Sequence, residues 1–168
     1  MGEVHGMAPQ GYIVIDEVGT VPICFVPERL QDTYPVMYAD QVILSRSEPW
    51  RAYGSGGPRI VSFDLIFIAV SDVQREVIDN VRMIRAGMYP RYGGAVLPPP
   101  LATVVFGTWF RIRGIIKDAQ ITWGNPWQNP SGGSIIGPMR ADVRVTIEEV
   151  SPRPRQMGEV AGAFPRHV

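Results

Sequence analysis

The chain has 168 residues, with sixteen acidic and sixteen basic side chains that cancel, so composition gives no electrostatic basis for gripping nucleic acid or an anionic membrane. Apolar residues make up 45% and charged residues 19%, which excludes a disordered chain and allows one domain to bury a core without metals or disulfides. Eighteen glycines and sixteen prolines are too many for a helical protein and suit short strands joined by many turns.

Residues 1–10 read as a loose N-terminal arm, with neither the basic stretch nor the apolar stretch of a signal peptide. Gly2 invites myristoylation, but Gly6 stands where that motif needs Ser or Thr. No apolar run is long enough to span a bilayer, and the expectation is a soluble protein made in a reducing compartment. Strand signals begin at Gly11–Ile15 and Thr20–Val26, where Pro22 and Pro27 confine the second strand to an edge or a short length. Cys24 has no partner for an internal disulfide and reads as a buried small hydrophobe rather than a reactive thiol. Tyr38–Arg46 is a further candidate strand. Ser47–Pro58, rich in Gly and Pro, reads as a long loop or the tip of a hairpin.

Arg59–Val70 is the clearest core strand. Val61, Phe63, Leu65 and Phe67 share one face, while Ser62 and Asp64 opposite give way to Ile66 and Ile68, which predicts an end buried on both faces. Ser71 or Asp72 caps the one convincing helix, from Val73 to about Ala86. Val73, Val77, Val81 and Ile84 form its apolar stripe, and Gly87 stands at the C-terminal stop. The connector 89–100, with three consecutive prolines, is neither helix nor central strand. Strands are predicted at about 101–106, 109–116, 118–123 and 140–149. In the last, Val143, Val145 and Ile147 alternate with Asp142, Arg144, Thr146 and Glu148. Residues 151–168, rich in Pro, Arg and Gly, read as a flexible tail. The division is an arm (1–10), a β domain (11–150) and a tail (151–168). The fold class is mainly β, an antiparallel barrel or sandwich with one helix packed outside.

No constellation for chemistry emerges, and the chain reads as neither an enzyme nor a cofactor or metal protein. His5 and His167 lie in the irregular termini, far from any shared site. Glu148 and Glu149 are neighbours on a strand and point to opposite faces. The glycine runs 54–57 and 131–134 resemble phosphate cradles, but neither has the lysine or the following helix that a phosphate loop uses. Lys117 is the only lysine, and the remaining basic residues are arginines suited to planar pairing with carboxylates. Trp50 and Tyr53 in one Gly/Pro-rich segment, and Trp123 and Trp127 in another, read as interface anchors or core lids. A carbohydrate or small-molecule platform built from the same four rings is the alternative of another class.

Four segments appear in an order that resembles the tube-fold proteins of contractile phage tails and related injection machines. They are Ile23–Leu30 (with Val26 where the family has Asn), Arg59–Phe67 with the helix after it, Pro98–Gly107, and Gly137–Glu149 with its Gly-Pro-Met-Arg-Ala opening. The resemblance spans roughly residues 20–150. The peptidoglycan-binding repeat that often follows this domain in baseplate relatives is absent from the sequence. The resemblance implies a structural virion protein, a tube initiator or an adaptor to the baseplate hub, assembled in the host cytoplasm into a hexameric ring. An ordinary tail tube subunit is the neighbouring alternative. Implied partners are further copies, the tail tube protein and baseplate hub proteins, with nucleic acid only passing through the lumen and no membrane. On this reading the inter-subunit contacts are Trp50, Tyr53, Arg111, Arg113, Trp123, Trp127, Arg140 and Arg144.

Overall fold

Period-two alternation runs through the longer strands and puts one apolar row of each on a common face. The computed structural model describes residues 9–41, 50–92, 96–128 and 136–150. Its strands in chain order are β1 (Gly11–Ile15), β2 (Gly19–Ile23), β3 (Leu30–Thr33), β4 (Val36–Gln41), β5 (Trp50–Gly56), β6 (Ile60–Ile68), β7 (Arg91–Tyr92), β8 (Val96–Leu97), β9 (Ala102–Phe106), β10 (Phe110–Gln128) and β11 (Gly137–Glu149). Seven form one antiparallel sheet in the order β2-β1-β9-β10-β11-β6-β3, and β4–β5 and β7–β8 are separate hairpins. The large sheet curls into half a barrel. The chain is mainly β with one helix, as its sequence predicts.

Register explains the core. Val61, Phe63, Leu65 and Phe67 of β6 sit opposite Ile147, Val145, Val143 and Ala141 of β11, and all eight are buried. Ile13, Ile15, Val104, Phe106 and Ile112 carry the same buried face across the sheet, and Phe63 meets Phe106 edge-on at 5.4 Å. The helix opens with a π-helical turn, Gln74–Ile78, and continues as α1 (Asp79–Ala86). Val73, Val77, Val81 and Ile84 are all buried, as the stripe requires. The Asp72 carboxylate accepts the Arg75 backbone N–H at 3.2 Å, the capping role expected of it.

Several boundaries differ from expectation. Trp50–Gly56 is a strand paired with β4, not a loop or hairpin tip. The predicted Tyr38–Arg46 strand is β4, beginning at Val36, and residues 42–49 lie outside the described residues. The predicted strands 109–116 and 118–123 are one strand, because a register shift between Ile116 and Asp118 absorbs Lys117 and keeps the apolar row facing inward. Ile66 is half-buried and Ile68 is 42% exposed, so the end of β6 is not buried on both faces. Gly87 is not a left-handed stop, since its φ is −65°. A Cβ there would lie 3.1 Å from Ile15 and 3.2 Å from Ile116, so the glycine lets the helix end touch the sheet. β1 begins at Gly11 as predicted, and the Gln10 N–H just before it donates to the Ile23 carbonyl. Residues 1–8 and 151–168, including His5 and His167, lie outside the described residues.

Phe63→Ala removes a ring that is 1% exposed and should cost about 3–5 kcal/mol in chemical denaturation. Gly87→Ala overpacks the helix–sheet contact and should cost about 1–3 kcal/mol. An unchanged unfolding midpoint in either variant would contradict the packing described.

Candidate functional site

A sheet that curls without closing leaves edges. β2 ends the sheet on one side, as Pro22 requires of a strand that lacks one ladder donor. On the other side β3 covers only Ile60–Phe63 of β6, so residues 64–68 have no strand beyond them among the described residues. β9 pairs with β10 only over Phe110–Gly114, which leaves residues 115–128 with no strand on the side away from β11 among the described residues. Between the first two edges lies a cleft of about 290 Å³ lined by Pro22, Cys24, Phe25, Ile66, Ile68 and Val70. Cys24 is half-buried there rather than fully buried. Burial first, and the nearby Glu76 carboxylate second, push its thiol pKa up, so the sulfur stays protonated and a poor nucleophile.

The aromatic residues fall into distinct groups. Tyr53 of β5 faces Tyr38 of β4, ring edge to ring face at 6.0 Å, and both are more than 60% exposed. Trp50 stands opposite Gln41 in the same hairpin. Trp123 is opposite Ala141 and Trp127 opposite Pro138 in the β10–β11 hairpin, and both are exposed. Among the described residues no ring contact joins Tyr53 to Trp123 or Trp127. Trp109, in the β9–β10 turn, is 72% exposed and was not singled out from sequence.

Three of the four arginines expected at interfaces already have carboxylate partners within the chain. Arg144 grips Asp64 across the β6–β11 pair through two bonds of 2.8 and 3.1 Å. That pairing, chiefly the side-chain hydrogen bond, holds the Asp64 carboxyl below its usual range. Arg140 turns to Asp142 on its own strand at 3.0 Å, and Arg113 reaches Asp16 at 2.9 Å. Arg111, exposed on the same face, meets no carboxylate among the described residues. The back of the sheet is therefore a lattice of internally neutralised pairs, continued by Lys117–Glu148 at 3.0 Å and the Ser62–Thr146 hydroxyl pair at 3.0 Å.

Two further groups shape the surface without any local sequence signal. Arg59 bonds Asp32 across twenty-seven positions of sequence. Glu76 draws the β6–helix turn together, accepting the N–H groups of Val70, Ser71 and Asp72 and the Ser71 hydroxyl. Burial alone would raise the Glu76 pKa, but these four donors outweigh it and hold the carboxyl below its ordinary value. No group of His, Cys, Asp and Glu suited to a metal ion occurs among the described residues, and none of their helices is long and apolar enough to cross a membrane. Compared with known proteins, the chain matches no family model and no curated protein.

Because the folded pKa of Glu76 is depressed, its stabilising contribution is present above the ordinary glutamate pKa of about 4.3 and is lost as pH falls through the folded value. Glu76→Gln should lower the melting temperature at pH 7 and converge with the parent chain in acid. Parallel melting curves from pH 7 to pH 3 would overturn this.

Proposed function

We propose that this chain is a structural subunit that associates with copies of itself through sheet edges and aromatic arms. The observation that carries the reading is the pairing of two features. Three stretches of strand edge have no partner among the described residues, and the hairpins beside them expose Tyr38, Tyr53, Trp123 and Trp127. Unpaired edges are an association hazard for a lone domain, and pairing between symmetric copies removes it. Aromatic rings on such surfaces are the side chains that anchor interfaces. A neutral chain also does little to repel its own copies. The order of sequence segments that resembles tube-fold proteins extends this reading to a hexameric ring at the tube–baseplate junction of a contractile tail, in contact with tail tube and hub proteins. An ordinary tail tube subunit is the alternative within the same class.

Sedimentation at rising concentration, followed by negative-stain microscopy, tests the reading. Closed six-membered rings are expected, and indefinite tubes would move the assignment to the tail tube itself. A monomer at every concentration would overturn self-assembly. Tyr53→Asp and Arg111→Glu, both at exposed positions, should leave thermal stability within about 0.5 kcal/mol of the parent. Each should also raise the concentration needed for association by about tenfold or more.

A further inference from the structure

The β4–β5 hairpin leaves the domain through a narrow root, where the Gly57 N–H donates to the Pro35 carbonyl at 2.7 Å. Beyond the root its two strands pack on each other, and among the described residues no other element packs substantially against them. A two-stranded ribbon has little stability or direction of its own. Its direction must be set where it joins the sheet.

The residues flanking the root supply that control. Asp32 and Tyr34 lie just before it and Arg59 just after it. The Arg59 Nε and Nη2 donate to the two Asp32 oxygens at 2.8 and 2.5 Å. The guanidinium carbon lies 5.3 Å from the ring centres of both Tyr34 and Phe110, within range of a cation–π contact with each. The Arg59 side chain is only 13% exposed, against 60% for Arg144 in its otherwise similar bidentate pair. Shielding from water strengthens such a pair, and the planar fork fixes its geometry. The backbone of Arg59 is itself tied to β11, its carbonyl accepting the Glu149 N–H at 2.8 Å. The clasp therefore ties the end of β3, the sheet strand that leads into the arm, to the residue where the chain returns from it, beside the β3–β6 pairing.

We propose that the Asp32–Arg59–Tyr34 clasp is the device that aims the β4–β5 arm, with Arg59 as its positioning residue. A lysine keeps the charge but has no fork to hold Asp32 and no plane to stack on the rings. The arm then swings about Pro35 and Gly57 while the sheet stays folded. This holds for the single chain, whether or not copies associate.

The test is a distance measurement between spin labels in a Cys24→Ser background, with one label at Ala39→Cys on the arm and one at Ala86→Cys on the helix. The parent should give one narrow distance distribution. Arg59→Lys and Asp32→Asn should broaden it, and should speed hydrogen exchange at the Gly57 amide by roughly tenfold, the loss of one charge-assisted hydrogen bond. Arg144→Ala, which breaks an ion pair away from the arm, should leave both readouts unchanged. Should Arg59→Lys fail to fold, Asp32→Asn keeps its side-chain shape and carries the comparison. A distribution as narrow in Asp32→Asn as in the parent, or an already broad parent distribution, would overturn the proposal.

Discussion

One sheet and one helix can bury only one face, and that limit governs everything else in this chain. The row running from Phe67 and Ala141 to Val61 and Ile147 is covered on its inner side by the helix stripe and by the curl of the sheet. Among the described residues nothing comparable covers the back. The back must therefore be polar, and its charges must find partners there, because lateral neighbours on a sheet are too close for like charges to coexist. Asp64, Asp142 and Glu148 stand beside Arg144, Arg140 and Lys117 for that reason. The same limit leaves the sheet short of closure, so it ends in edges rather than a complete barrel.

Local details follow from keeping the inner row intact. The shift at Lys117 costs the ladder a pairing but keeps Ala119 and Ile121 on the inner face after Ile116. Gly114 has the same origin. A Cβ there would sit 2.0 Å from the Glu148 carbonyl, so the crossing of β10 and β11 near the end of the sheet tolerates only glycine. Polar atoms inside this packing are few: Asn80 is the only polar residue fully within it among the described residues, and it donates to the Glu76 carbonyl one turn earlier.

The alternation of β6, β9 and β11 was legible in the sequence because a half-buried strand writes its burial into every second residue, and the helix stripe was legible at its own period. Pro22 announced an edge through the donor it lacks. β4 was legible in part, as Tyr38–Arg46, but β5 was hidden, because a ribbon strand with no buried face carries no period to read. β3 was missed for the same reason, having no buried residue. Ile66 and Ile68 misled because an apolar residue need not be covered, and only the covering elements decide. Alternation placed Arg144 opposite the apolar row of β11, yet the carboxylates that Arg144 and Arg113 meet lie 80 and 97 residues away. Residue type says that a guanidinium seeks a carboxylate; it does not say whether that carboxylate belongs to the same chain.

The near-exclusive use of arginine sets how this surface answers its medium. Guanidinium groups keep their proton far into alkali, and Lys117–Glu148 is the one lysine pair in a back-face lattice otherwise built on guanidinium groups. A guanidinium–carboxylate pair is opened by acid, through the carboxylate, and not by base. Dissolved salt, which screens exposed charges whatever their proton state, is the remaining lever. Lysine-directed acetylation or methylation has a single side chain to act on, Lys117, and would leave every guanidinium pair as it stands.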